Sequence, residues 1–128
     1  MKYMACIFVL GTLLCNPAAA AQMKLGDLYN LCTSPSEGDK RACESYVWGV
    51  FEAAQFVGGT VQDESGNFQE AKDKRFCVPE GLDSAAMELV VKMKMGEDLA
   101  VFPKDRDMPA VVFVTAVIFK EFPCQKTK

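Results

Sequence analysis

The chain has 128 residues, with 14 lysines and arginines against 17 aspartates and glutamates, so its net charge is −3. This acidic balance argues against a nucleic-acid partner, because binding to phosphates needs a concentrated basic surface. The sequence contains no histidine, which excludes Ser-His and Cys-His dyads and histidine-based zinc hydrolases. The length fits one domain with a modest core.

Residues 1–21 have the layout of a Sec-type secretory signal peptide. A basic start is followed by the apolar run 4–15, an Asn-Pro break and four alanines. The apolar run is too short for a membrane anchor, since a spanning helix needs roughly 20 apolar residues. We predict cleavage after Ala20 or Ala21. The mature domain, residues 22–128, then has a net charge of −4, because the one lysine of the signal peptide is lost. We expect this domain to be periplasmic or secreted.

Export to an oxidising compartment changes how the cysteines are interpreted. Two of the six leave with the signal peptide, and an even set of four remains, which predicts two disulfides. Three pairings are possible. We favour Cys32–Cys43, which closes a short loop between two predicted helices, and Cys77–Cys124, which ties the start of a helix to the chain end. A zinc site made by all four cysteines is the alternative, although no pair has Cys-x-x-Cys spacing.

The first half of the mature chain predicts two helices. One face of a short first helix has apolar residues at i, i+3, i+4 and i+7, namely Leu25, Leu28, Tyr29 and Cys32. A turn-rich segment follows, and Asp39 is predicted to cap a second helix over residues 40–57 that ends at a glycine pair. Its predicted apolar face comprises Cys43, Tyr46, Val47, Val50, Ala54 and Val57. Gly49 costs about 1 kcal/mol of helix propensity, which we interpret as close approach of a neighbouring helix.

Residues 60–75 are the most polar part of the mature chain. We expect them to protrude as an excursion tethered at both ends, formed either by a mobile loop or by a short helix over residues 68–74.

Two further helices are predicted in the second half. Asp83 is the N-cap of the first and Gly96 its C-terminal stop, and the expected apolar face comprises Ala86, Leu89, Val90 and Met93. After a connection over residues 97–107, the apolar run Met108–Phe122 is interpreted as a buried helix, because its length suits a helix better than a strand. The predicted fold class is therefore all-α, a small disulfide-stapled bundle of about four helices.

The mature chain offers little catalytic or metal chemistry. Paired carboxylates would support glycosidase chemistry, with the candidates Glu44, Glu52, Asp63 and Glu64, but charged residues on helix faces and loops are usually solvated. A methionine group would suggest Cu(I), with the members Met87, Met93 and Met95, but methionines beside apolar neighbours usually fill core gaps. We predict a binding protein rather than an enzyme, with no catalytic, cofactor-binding or metal-binding residues.

Several short patterns occur in a fixed order along the mature chain. Residues 43–49 read Cys-x-x-Tyr-x-x-Gly, residues 76–79 read Phe-Cys-Val-Pro ahead of a helix, and residues 122–124 read Phe-Pro-Cys. With a first helix that ends in Leu-Cys, they resemble the Rap/Tai family of type VI secretion immunity proteins. An Asn-Pro or His-Pro step that the family often has after its third helix is replaced here by Phe102-Pro103.

This resemblance implies an all-helical periplasmic protein. Members bind a peptidoglycan amidase toxin delivered by neighbouring or sister bacteria and block its active site, and some form homodimers. The implied partner is therefore an amidase effector, with a possible homodimer. The alternative function is an exported envelope binding module or chaperone of the same fold that has no toxin partner.

We place the toxin contact in the polar excursion, with the candidates Gln62, Asp63, Glu64, Asn67 and Phe68. Phe68 is the only large apolar residue in the middle of this segment, and an exposed aromatic ringed by polar groups is typical of an interface hot spot. The alternative is that Phe68 pins the loop to the core. Tyr46 and Gly49 are assigned to packing.

Overall fold

A computed structural model of the protein describes residues 22–70 and 74–124. The described residues form four α-helices and one hairpin of two short strands. In chain order these are α1 (Leu25–Thr33), α2 (Glu37–Gly59), β1 (Thr60–Gln62), β2 (Phe68–Glu70), α3 (Ser84–Val101) and α4 (Ala110–Glu121), with a 3₁₀ helix (Pro103–Asp107) before α4. The predicted all-α class is confirmed. The predicted signal peptide lies outside the described residues.

All four helices contribute to one apolar core. Its largest fully buried side chains are Leu25 and Leu28 on α1, Val47 and Phe51 on α2, Met87, Val91 and Met95 on α3, and Val114 and Ile118 on α4. The first turns of α1 and α4 lie side by side, because the Leu25 N–H donates to the Met108 carbonyl and the Ala110 N–H to the Met23 carbonyl, both at 2.9 Å. None of the described helices is long and apolar enough to cross a bilayer.

Both favoured disulfides are present. Cys32 and Cys43, with an S–S distance of 1.99 Å, join the last turn of α1 to α2 inside the core. Cys77 and Cys124, with an S–S distance of 2.05 Å, join the segment before α3 to the residues just after α4. The disulfides use all four cysteines of the described residues, so the zinc alternative is wrong.

Capping side chains mark the starts of α2 and α3. The Asp83 carboxylate accepts the Ala86 N–H at 2.8 Å, which confirms Asp83 as the N-cap of α3. The N-cap predicted for α2 is wrong, because that helix already begins at Glu37. Ser36 occupies the capping position instead, since its hydroxyl accepts the Asp39 N–H at 3.4 Å.

The predicted inner face of α3 is wrong. The buried residues follow a spacing of four, namely Met87, Val91, Met95 and Leu99, whereas the exposed fractions of Leu89 and Met93 are 51% and 55%. Residues 85–95 are apolar at most positions, so two different stripes satisfy the helical period. Gly96 does not stop the helix, which continues to Val101. A Cβ at Gly96 would lie 3.5 Å from the Tyr29 hydroxyl, so the glycine marks the crossing of α1.

The predicted face of α2 needs a smaller correction. Cys43, Val47 and Ala54 are buried as expected, but Phe51 also enters the core and Val57 is 77% exposed. The helix ends at Gly59, as the glycine pair predicts.

The polar excursion contains a β-hairpin instead of a loop. Residues 68–70 form a strand, so the predicted helix over residues 68–74 is wrong at its start, and its residues 71–73 lie outside the described residues. β1 and β2 pair antiparallel with Thr60 opposite Glu70 and Gln62 opposite Phe68. Strands of three residues are too short to show the period-two alternation that identifies a strand in a sequence.

Candidate functional site

The tip of the hairpin is organised by one carboxylate. Asp63 Oδ1 accepts the backbone N–H groups of Ser65 and Asn67, both at 2.9 Å, and its Oδ2 accepts the side-chain amide of Gln69 at 2.6 Å. The Asp63 N–H donates in turn to the Asn67 carbonyl at 2.9 Å. Gly66 has a φ of 83°, the left-handed conformation that glycine adopts without a Cβ clash. The turn is therefore locked by local bonds.

These bonds lower the pKa of the Asp63 carboxyl. The backbone N–H of Asn67 is the largest cause, followed by the amide of Gln69, because both stabilise the charged carboxylate. Asp63 thus remains ionised and holds the turn, and its carboxylate is engaged within the hairpin rather than facing a partner.

Phe68 projects from the start of β2 and is 60% exposed. Its ring contacts that of Phe56 on α2 with a centroid distance of 4.9 Å, and Phe56 is itself 52% exposed. Phe68 is not part of the buried core cluster, so it attaches the hairpin to the outer end of α2 and keeps most of its ring in solvent.

The base of the hairpin is fixed to the core on its return side. The Arg75 N–H donates to the Gly58 carbonyl at 3.3 Å, and the Cys77 N–H to the Phe122 carbonyl at 2.9 Å. Between them, Phe76 is 5% exposed, and its ring lies 6.1 Å from that of Phe51 and 5.4 Å from that of Phe119. The expected tether at both ends of the excursion is thus found.

The five predicted contact residues lie together in the hairpin. Gln62 pairs with Phe68 across the two strands, and Asp63, Glu64 and Asn67 belong to the turn. Glu64 is exposed. The predicted contact residues did not include Phe56, which packs against Phe68. The available signal was a bulky apolar side chain just before the glycine pair.

Two of the candidate carboxylates on α2 hold neighbouring side chains. Glu44 accepts a hydrogen bond from the Ser84 hydroxyl, and Glu52 accepts one from the Trp48 indole at 3.1 Å. The methionines do not converge either, because Met87 and Met95 are fully buried and Met93 is exposed. In the described ranges, the Glu88 carboxylate lies close to the sulfurs of Cys32 and Cys43, a combination of atoms that could bind a metal ion. The two sulfurs are joined in a disulfide, so they are not thiolate ligands.

A second concave surface lies between α2 and α4. This groove, about 580 Å³ in volume, is lined on α2 by Gly49, Val50, Ala53 and Val57 and on α4 by Val111, Thr115 and Phe119, among others. A Cβ at Gly49 would meet no atom within 4 Å, so the predicted close approach of a helix there is wrong. Tyr46 does pack against the core from the groove wall, and its burial raises the pKa of its hydroxyl.

A family model for Rap1a immunity proteins matches residues 24–124. No curated protein and no solved structure matched the chain in the corresponding searches. The matched range contains α1 to α4, the hairpin and both disulfides, and it confirms the resemblance on which the expected fold depends. The chain belongs to the Rap1a immunity protein family.

Proposed function

We propose that this protein is a periplasmic immunity protein that binds a peptidoglycan amidase delivered by type VI secretion and inhibits it, protecting the producing cell. The family supports a toxin as the partner. That this toxin is an amidase is our proposal for this chain, and it is supported by the family resemblance.

The observation that carries the proposed contact is Phe68, which is 60% exposed on a hairpin that is fixed at its turn and at its base. A locked hairpin loses little conformational freedom when it enters an enzyme cleft, which favours affinity. The aromatic pair of Phe56 and Phe68 supplies an apolar anchor, and Glu64 supplies an exposed charge at the turn. This combination fits a cleft that has an apolar pocket and a cationic rim.

The proposed location follows from the sequence and the cysteines. The signal-peptide pattern of residues 1–21 predicts export, and two disulfides form and persist in an oxidising compartment such as the periplasm. Mass spectrometry of the protein from a periplasmic extract should give a chain that begins at Ala21 or Gln22. A full-length chain in the cytoplasm would refute the export step.

Inhibition of peptidoglycan cleavage tests the proposed function directly. Oxidised protein from Gln22 onward is titrated into each amidase effector of the same genome, with purified cell-wall sacculi as substrate. We expect loss of cleavage at equimolar protein for one cognate enzyme. Full cleavage with every amidase would refute the proposal and favour the exported binding module without a toxin.

The resemblance also implies a homodimer, and we propose this separately from inhibition of the amidase. The mass of the mature protein in solution tests the homodimer, so a monomer would leave the inhibition proposal unaffected.

A further inference from the structure

The groove between α2 and α4 has the dimensions of a small-molecule site. Its volume of about 580 Å³ lies in the range of roughly 300–1,000 Å³ that is typical of ligand pockets. On α2 the groove extends from Ser45 to Gly58, about 20 Å at the rise of an α-helix. A helix of that length, about 10 Å across, needs a larger volume, whereas a single extended chain of atoms fits.

The lining of the groove favours a hydrocarbon over a peptide. Valines, alanines and glycines form most of it, and the polar side chains on its walls, apart from one arginine, are the hydroxyl groups of Ser45, Tyr46 and Thr115. Each residue of a bound peptide brings an amide N–H and a carbonyl, and a buried amide without a partner costs free energy. A hydrocarbon chain has no such groups, so the sparse polar lining suits it.

One end of the groove carries a positive charge. Arg75 lies there, because its N–H donates to the carbonyl of Gly58 at 3.3 Å. Arg75 is exposed, no carboxylate among the described residues forms an ion pair with it, and none of the described residues that line the groove is acidic. A guanidinium binds a carboxylate through two parallel hydrogen bonds, so this end is complementary to an anionic head group.

We infer that the groove binds one free fatty acid, with its hydrocarbon chain between α2 and α4 and its carboxylate on Arg75. The hydrocarbon core of a bilayer is about 30 Å thick, so one acyl chain spans about 15 Å. The groove is long enough for a chain of this length. This inference goes beyond the proposed inhibition of an amidase and does not depend on it.

The charge of the whole protein favours a free fatty acid over a membrane surface. The chain has 17 acidic against 14 basic residues, whereas attachment to an anionic membrane needs a cluster of lysines and arginines. One guanidinium is sufficient for a single carboxylate. The occupant is therefore a monomeric lipid that leaves the membrane.

Calorimetric titration of the oxidised mature protein with myristate, below the concentration at which myristate forms micelles, tests the inference. We expect saturable binding of one myristate per chain. In NMR spectra the methyl signals of Val50 and Val111 in the groove should shift, and those of Val101, which is exposed on α3, should not. Absence of saturable binding would overturn the inference and leave the groove to a protein partner. Binding to phosphatidylglycerol vesicles alone would also overturn it, in favour of a membrane surface.

A first variant blocks the apolar part of the groove. The Cβ of Gly49→Leu would meet no atom within 4 Å, and leucine is the better helix former, so the variant should be at least as stable as the wild type in urea. Its side chain occupies the groove and should raise the dissociation constant for myristate at least tenfold. Gly38→Leu near the start of the same helix is the matched control, because Gly38 is exposed and outside the groove. It should leave the affinity unchanged, and equal affinities for the Gly49→Leu variant and the wild type would place myristate elsewhere and refute the inference.

A second variant tests the head group. Arg75→Gln should raise the dissociation constant for myristate about tenfold, the value of one hydrogen bond to a charged group, and should leave that for myristyl alcohol unchanged. Arg41→Gln is the matched control, since Arg41 is exposed on α2 and lines a different cleft. Equal losses with myristate and myristyl alcohol, or no loss with either, would refute the assignment of the carboxylate to Arg75.

Discussion

Replacement of Phe68 by alanine should separate toxin affinity from protein stability. The exposed 60% of Phe68 corresponds to about 120 Å² of ring surface, because a phenylalanine buries roughly 200 Å² when it is fully covered. At about 25 cal/mol per Å², covering this surface in a complex contributes about 3 kcal/mol. The expected loss of affinity for the toxin is therefore roughly 100-fold.

The same substitution should have a smaller effect on folding. The covered part of the ring, about 80 Å², faces Phe56 and contributes at most about 2 kcal/mol by the same area estimate. A domain with ordinary stability tolerates this loss. Urea unfolding of Phe68→Ala should show a modest fall in midpoint with an unchanged slope.

Phe102→Ala is the matched control for this measurement. Phe102 is 57% exposed, nearly the same as Phe68, but it lies between α3 and the 3₁₀ helix. Calorimetric titration of both variants with the toxin should show a large effect at Phe68 only. A change of less than about threefold for Phe68→Ala, or equal losses for the two variants, would refute the role of the hairpin as the anchor.

Four further predictions concern the scaffold. Loss of Cys77–Cys124, with a sequence separation of 47, should lower the free energy of unfolding by roughly 4 kcal/mol in the loop-entropy treatment, against roughly 3 kcal/mol for Cys32–Cys43 with a separation of 11. Mild reductant followed by alkylation should label Cys77 and Cys124 first, because Cys32 and Cys43 are buried. The pKa of Asp63 is lower in the folded protein than in the unfolded chain. The bonds of its carboxylate to the turn therefore stabilise the hairpin fully above the usual aspartate pKa of about 4, and this stabilisation is lost as the pH falls through the lower folded pKa. NMR should show loss of amide protection at Ser65 and Asn67 in that acidic range, and at neutral pH in Asp63→Ala. Gly96→Ala should raise the free energy of unfolding in urea by up to about 1 kcal/mol, because the added Cβ meets Tyr29 at an ordinary contact distance. Gly26→Ala should not stabilise the protein, because there the added Cβ would lie 3.1 Å from Arg106.

The sequence predicted the elements whose signals are local. Asp83 is followed by a helix that its carboxylate caps, and the glycine pair ends α2. An even set of cysteines predicted two disulfides. The sequence left three pairings open, and the structure has the favoured one, Cys32–Cys43 with Cys77–Cys124. The orientation of α3 did not follow, because Leu89 and Met93 fit the helical period as well as Met87 and Val91 do. Packing against α1 and α2 decides between these stripes, and packing is not a local property.

The hairpin shows a second limit of sequence interpretation. Its residues were identified as the candidate contact from polarity and one aromatic side chain, and the structure places all five in one hairpin. Its conformation was missed because the contacts that stabilise it cannot be identified from the alternation of its short strands. They come from the bonds of Asp63 to the turn, from Phe56 on α2 and from Phe76 in the core.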